Sequence, residues 1–377
     1  MLRRAIEIGS VRGRTQVPLD RSNQPRPAME SQTPVGRKIT LNDIAAGCGV
    51  SRATVSLVLR GSPLVNKVTR ARVEEELRRQ GYVYNRAAAN LRRRTSSSVA
   101  LVINELANPF FAEFAAGVDE TLGTAGFVTL LGSSGDSAER EHAVLGSLIE
   151  HGPGGIILSP AEDSEARKVL AAVGTHTPVV LFNRELGGEL PEYAHWDRLM
   201  LDNERGARQA TEHLIKQGHR HIAFFGGHDH ASSTRERHAG YAQAMQAAGL
   251  PVEAQWRVQS TPTRIDAARA AGELFEGKGS APTAAVCYND AVALGLMLGL
   301  HQHGRQAGRD FAITGFDDIS EASMSMPSLT TLSTAPRARG RQAAEMLLAR
   351  LRDPQAPSGT IIAPVELVVR ESSCPPL

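Results

Sequence analysis

The residues of this 377-residue chain best placed to do chemistry are polar groups that close apolar runs. Asn183-Arg184 ends Pro178–Phe182, Asn289-Asp290 follows Ala284–Cys287, and Asp317-Asp318 ends Phe311–Phe316. Amides, a guanidinium and carboxylates aimed into one cleft suit a ligand with several hydroxyls, because each pairs donors or acceptors in a fixed direction. Nothing here pairs a nucleophile with a positioned base, so no enzyme is expected. Each group also has a plainer reading: Asp290 can cap a helix beginning at Ala291, and Arg235 reads as a solvated surface side chain. His228-x-His230 could ligate a metal, yet no carboxylate or cysteine spacing completes a set, and no metal or cofactor is expected. Gly226-Gly227 follows a strand but lacks the Lys-Ser/Thr of a phosphate loop. Cys287 reads as a small buried side chain.

A second chemistry lies near the N-terminus. In the run from Val50 to Leu59, Val55, Val58 and Leu59 share one helical face, and Arg52, Ala53, Ser56 and Leu57 share another. An arginine on such a face can make a bidentate contact to guanine, while Ala53 and Leu57 can touch thymine methyls. Ser51, Thr54 and Ser56 suit phosphate contacts, which position a helix without reading sequence. Charge agrees with this. Residues 1–95 hold 19 Lys and Arg against 7 Asp and Glu, net +12; the rest holds 23 against 33, net −10. A basic head on an acidic body points to a polyanion met by the head alone, the alternative being a basic tail with no partner.

These groups must be positioned by distinct domains. Residues 1–36 show no apolar periodicity and are expected to be a disordered extension, with Met29 as an alternative start. Residues 37–84 read as three short helices: one after an N-capping Thr40 and broken at Gly49, one opened by Val50-Ser51, and one from Thr69 to Gln80 closed by Gly81. Two helices joined by a tight Gly-containing turn make a helix-turn-helix; a three-helix interaction module is the alternative. Residues 85–98 form a short helical stretch and a basic joint. From residue 99 to 377, the apolar runs Val99–Ile103, Val128–Leu131, Gly155–Leu158, Val179–Phe182, His221–Phe225, Ala284–Cys287 and Phe311–Thr314 alternate with helical spacing. Repeated β-then-α units predict parallel sheets covered on both faces, and this length predicts two lobes. Ligands in such folds sit beyond the carboxyl ends of the strands. Three scattered cysteines, no apolar run near ~18 residues and no secretory apolar segment predict a cytoplasmic protein without a membrane span.

The run from Leu41 to Ser56, LNDIAAGCGVSRATVS, resembles the head of the lactose/galactose repressor (LacI/GalR) family. Thr69-Arg70-Ala71-Arg72-Val73 and the run Gly81 to Ala88 resemble its third helix and hinge, and the likeness continues in register from about Ile39 to the C-terminus. The resemblance implies an α/β fold: a small all-α helix-turn-helix domain, then a bilobal periplasmic-binding-protein-like core of two parallel-sheet, Rossmann-like subdomains. It implies a homodimeric, sequence-specific regulator on near-palindromic operator DNA, with a small effector, by family prior a sugar or sugar derivative, between the lobes. The hinge residues Asn85, Arg86, Ala88 and Leu91 would join Ser51, Arg52, Ala53, Thr54, Ser56 and Leu57 on DNA, with Leu91 as a minor-groove wedge. Leu57 departs from the polar or basic reader common in the family, so the half-site is expected to differ. For the effector, the resemblance selects Asn108, Phe110 and Phe111, Asn183 and Arg184, Arg237 before Gly240-Tyr241, Asn289, and Asp317; at least one of the two phenylalanines should be core. No heptads follow Arg370, so a dimer is preferred over a coiled-coil tetramer. The rivals are a periplasmic-type sugar-binding protein, which has no use for residues 39–94, and a sugar-converting enzyme.

Overall fold

The computed structural model describes residues 39–82, 96–188, 191–276, 280–373 and 375. They fall into two compact units, Met1–Tyr84 and Asn85–Leu377. The first holds α1 (Leu41–Cys48), α2 (Arg52–Leu59) and α3 (Lys67–Arg79). Thr40 caps α1 through a reciprocal box with Asp43, whose carboxylate accepts the Thr40 N–H at 2.8 Å. Gly49, at φ 62°, supplies the left-handed turn that ends α1, and Ser51 caps α2. Ile44, Cys48, Val55, Val58 and Val73 are buried between the helices. The third helix starts at Lys67 behind an Asn66 cap, earlier than the expected Thr69, because the Asn66 side chain accepts the Thr69 N–H at 2.8 Å.

The second unit has strands β1 (Ser98–Ile103), β2 (Val128–Ser133), β3 (Ile156–Leu158), β4 (Val179–Phe182), β5 (Asp197–Leu201), β6 (Ile222–Phe225), β7 (Arg257–Val258), β8 (Ala284–Cys287), β9 (Ala312–Thr314), β10 (Thr331–Ser333), β11 (Thr360–Ala363) and β12 (Glu366–Val368). Its helices are α4 (Pro109–Thr124), α5 (Ala138–Ile149), α6 (Ala166–Val173), α7 (Asn203–Lys216), α8 (Ser232–Ala247), α9 (Arg264–Ala270), α10 (Asp290–Gln302), α11 (Ser320–Met324) and α12 (Pro336–Arg352). One lobe is built on a parallel sheet in the order β11-β5-β4-β3-β1-β2, the other on a parallel sheet β7-β6-β8-β9 beside an antiparallel β10-β12 ribbon. The chain crosses between lobes after β5, after β10 and after β11. Both faces of the first sheet are covered: Val99, Leu101 and Ile103 pack on the α4 side, Ala100 and Val102 on the α5 and α6 side. Helices α4 and α12 cross closely because Gly117 and Gly340 face the partner backbone; a Cβ at either would meet a carbonyl oxygen at 2.0 Å.

All seven expected strands are present, with ends shifted by no more than two residues, and β5, β7, β10, β11 and β12 were not expected. Among the described residues no helix is long and apolar enough to cross a membrane.

Candidate functional site

The carboxyl ends of β1, β2, β4, β8 and β9 meet where the lobes of the second unit face each other. Asn104, Asn108, Phe110, Phe111, Asn183 and Asp317, with others below, line a cavity of about 30 Å³. Asn183 sits at φ 64°, a left-handed conformation asparagine tolerates better than most residues. Its Oδ1 is buried and accepts no hydrogen bond from the described residues. Asp317 is 3% exposed at φ 128°, a strained position, and no side-chain hydrogen bond is seen among the described residues. Burial holds its carboxyl well above the ordinary range; Arg237 pulls it down and Asp290 pushes it up. Arg237 is sandwiched, its guanidinium 3.7 Å from the centre of the Phe316 ring and 4.8 Å from that of Tyr288. It donates from Nε to Asn203 Oδ1 at 2.8 Å and from Nη1 to the Tyr288 carbonyl at 2.6 Å.

Asn289 and Asn108 cap α10 and α4: their Oδ1 atoms accept the N–H of Val292 at 2.9 Å and of Phe110 at 3.1 Å. Among the described residues neither NH₂ group donates a hydrogen bond. Phe110 stacks on Phe182, which stacks on Phe114 at 3.8 Å, so Phe110 is core as well as wall; Phe111 meets it edge-on.

Arg184 differs from the other expected ligand residues. It donates from Nη1 to Asp136 Oδ1 at 2.5 Å and to the Pro160 carbonyl at 3.3 Å, and from Nη2 to Asp136 Oδ2 at 3.0 Å and Tyr288 Oη at 3.1 Å. Its Nε donates to Ser233 Oγ at 3.2 Å. All five donors are used inside the protein, and they join residues of both lobes. Arg184 is therefore a strut across the lobe boundary here, with nothing left for a ligand.

Sequence reasoning missed Asn104, Asp136 and Tyr288. Asn104 donates to Asp136 Oδ1 at 3.0 Å and to the Pro160 carbonyl at 2.8 Å. Asn104 and Tyr288 each directly follow an apolar strand, the signal that found Asn183 and Asp317; Asp136, in the turn after β2, carries none. His228 and His230 do not converge on a metal: each faces a different carboxylate, and among the described residues no three His, Cys, Asp or Glu side chains could hold one. Cys287 is buried, and burial pushes its thiol up, as an inert core cysteine requires.

In the first unit, Arg52 and Ala53 are exposed and Thr54, Ser56 and Leu57 half-buried, while Val55 and Val58 face the core. Ser51 Oγ accepts the Thr54 N–H at 3.1 Å and lies 3.0 Å from Thr54 Oγ1, so part of both hydroxyls' capacity serves the cap. Asn85, Arg86, Ala88 and Leu91 lie outside the described residues.

Residues 40–85 match the model of bacterial regulatory proteins of the lacI family, and residues 211–373 that of the periplasmic binding protein-like domain. The maltose regulon regulatory protein MalI of Escherichia coli (strain K12) is 31% identical over 343 residues, covering 88% of this chain and 98% of that protein. The chain belongs to the LacI family. Among solved LacI-family structures, the transcriptional regulator CelR–cellobiose complex is 30% identical with a TM-score of 0.66, covering 89% of this chain and 99% of that one. The Lac repressor bound to ONPG in the repressed state is 25% identical with a TM-score of 0.77, covering 89% and 100%. The chain is thus a DNA-binding transcription regulator with a ligand-binding core, and the expected fold class holds for both parts.

One acidic neighbour of the LacI-family cleft is structural. The helix expected from Ala291 begins at Asp290, and its cap is Asn289. Asp290 instead accepts the Ile319 N–H at 2.9 Å and the Thr331 hydroxyl at 2.5 Å, fastening the loop after β9. Burial pushes its carboxyl up to about 6, with Thr331 and Ile319 opposing. A raised acid favours the fold when protonated: its contribution is fully present below the unfolded value and lost as pH rises through about 6. Asp290→Asn, which keeps an acceptor and gains a donor, is expected to raise unfolding free energy above pH 7 by about 2 kcal/mol and to leave it near unchanged at pH 4. Urea denaturation at the two pH values checks this.

Proposed function

We propose that two copies of this chain bind a near-palindromic operator through Ser51, Arg52, Ala53, Thr54, Ser56 and Leu57, with Asn85, Arg86, Ala88 and Leu91 as hinge contacts, and that a small polyhydroxylated ligand of sugar type sets the affinity. Asn183, Arg237, Asn289 and Asp317 are its polar contacts, and Asn108, Phe110 and Phe111 its wall. The observation that carries this is that, among the described residues, Asn183 Oδ1 is a buried acceptor without a donor on one side of the lobe boundary, while the almost wholly buried Asp317 lines the same cavity from the other side. A buried polar atom without a partner costs about 1–3 kcal/mol, and a ligand hydroxyl would supply the missing donor. The cavity of about 30 Å³ holds one or two waters, so a ring enters only as the lobes part. That motion is the change the operator-binding heads would sense, through a differential affinity worth about 1–3 kcal/mol. CelR was solved with a disaccharide, which supports the sugar class.

The test has two arms. Full-length protein is screened by thermal shift against sugars, sugar phosphates and nucleobases, and each hit is added to operator selected from random duplexes. A sugar that raises the melting temperature and shifts operator affinity supports the reading. A nucleobase doing so moves the ligand class, and conversion of a hit to product replaces the regulator with an enzyme. On the DNA side, Arg52→Ala should cost about 1–3 kcal/mol and relax discrimination at one base pair. Equal weakening on every sequence would restrict Arg52 to phosphate.

A further inference from the structure

The outer face of α2 is divided along its length. Arg52 and Ser56 form one i, i+4 row, continued by Arg60 at the helix end, and Ala53 and Leu57 form the row beside it. In the polar row Arg52 and Arg60 are exposed, and Arg60 Nε donates to the Ser56 carbonyl at 2.9 Å. The apolar row has no side-chain donor or acceptor, yet Ala53 is exposed and Leu57 only half-buried. A further apolar group stands in water just beyond α2. Among the described residues of the first unit, the large apolar side chains left exposed are Leu64, at 84%, and Val68, at 81%. Leu64 is fastened to α2 through Ser62. The Ser62 N–H donates to the Leu57 carbonyl at 3.0 Å, its Oγ accepts the Leu64 N–H at 3.4 Å, and its carbonyl accepts Arg70 Nη2 at 2.5 Å. The turn is thus pinned to both α2 and α3, and Leu64 is flanked in the chain by the exposed cations Arg60 and Lys67.

We propose that Leu57 and Leu64 recognise thymine C5-methyl groups in the operator half-site, so that the bases facing them are chosen by a methyl contact and not by a hydrogen bond. The proposal rests on the reading that α2 enters the major groove, and adds to it Leu64 and the chemistry of the bases. The flanking cations commit the apolar groups to a polyanion. Arg60 and Lys67 draw in phosphates, and the apolar group that a phosphate-walled major groove presents is the thymine methyl.

Discrimination follows from what leucine lacks. Over a thymine methyl it removes apolar surface of both partners from water. Over a G·C pair it covers the cytosine amino donor or the guanine acceptors and pairs with none of them, so they lose water without replacement. Guanine is left to Arg52, whose fork suits O6 and N7. Uracil separates the methyl from everything else, because it keeps the hydrogen-bonding groups of thymine and lacks the methyl alone.

The full chain first selects its operator from random duplexes. Each thymine of that site is then replaced by deoxyuridine in both half-sites, and binding is followed by anisotropy at fixed salt. One lost methyl contact weakens binding about fourfold, so the symmetric pair should lose about fifteenfold, at two thymine positions per half-site. Leu57→Ala should shrink the penalty at one position and Leu64→Ala at the other, each to below about threefold, with the remaining penalty intact. At the same positions 5-methylcytosine should bind more tightly than cytosine. Leu64 lies outside the buried cluster of the first unit, so its variant decides the question even if Leu57→Ala fails to fold. Penalties unchanged in the folded variants would belong to the shape of the duplex and overturn the proposal, as would the absence of any penalty. A penalty that only one variant removes overturns the role of the other leucine. A chain that selects no operator removes the proposed function together with this inference, whereas specific binding indifferent to deoxyuridine removes only the inference.

Discussion

Arg237→Met is expected to abolish the thermal shift given by any ligand of the cleft while leaving operator binding of the unliganded protein within about twofold of wild type. The basis is the division of labour in one side chain. Methionine matches the length of the stem and keeps a polarizable contact with the Phe316 and Tyr288 rings that now sandwich the guanidinium. It removes every donor, so Asn203 Oδ1 and the Tyr288 carbonyl lose partners at 2.8 and 2.6 Å. That should lower unfolding free energy by about 2–4 kcal/mol. Ligand affinity should fall further, by on the order of a hundredfold or more, because a charged two-pronged donor beside Asp317 is lost as well. Arg237→Lys keeps the charge without the fork and should fall between the two. Calorimetric binding and operator anisotropy separate the roles. Unchanged ligand affinity with a lowered melting temperature would make Arg237 a strut only, and loss of bare operator binding would make it part of the fold that presents the heads.

What was legible in advance follows from how local each signal is. The β1 run SVALVI and the β8 run AAVC announce themselves because strands buried on both faces are continuously apolar. The β5 sequence DRLML does not, since it opens with a charged pair. Asp197 tolerates burial there because Arg350, 153 residues later on α12, donates to both its carboxylate oxygens at 3.0 Å. No local pattern encodes a partner that distant. The candidate site divides in the same way. Asn183 and Asp317 were found because polar residues ending apolar strands are visible in sequence, and Asn104 and Tyr288 lay under that same signal. Whether such a residue keeps a free valence is decided only by packing: the Asn183 amide oxygen is left bare, while the next residue has every donor filled. The histidine pair carried a metal alternative because the facing carboxylates, Glu162 and Asp163, lie over 60 residues away in the chain.

The filled neighbour, Arg184, yields the second large effect. Arg184→Leu is expected to cost about 3–5 kcal/mol, far more than any one of its five hydrogen bonds, because it strands the Asp136 carboxylate, only 15% exposed, without its countercharge. Asn104 and the Glu162 N–H still donate to Asp136, so that carboxylate is not wholly abandoned, which places the loss within the range rather than beyond it. Pairing Arg184→Leu with Asp136→Asn removes the stranded charge, and the double variant should recover about 2 kcal/mol relative to the sum of the singles. The two tryptophans, Trp196 beside β5 and Trp256 beside β7, sit in different lobes. Variants retaining one tryptophan at a time therefore report each lobe's urea transition. A strut that couples the lobes predicts that the transitions coincide in wild type and separate in Arg184→Leu. Coincident transitions in the variant, with additive single losses, would show that Arg184 merely neutralises Asp136 within its own lobe and that Ser233 and Tyr288 are incidental acceptors.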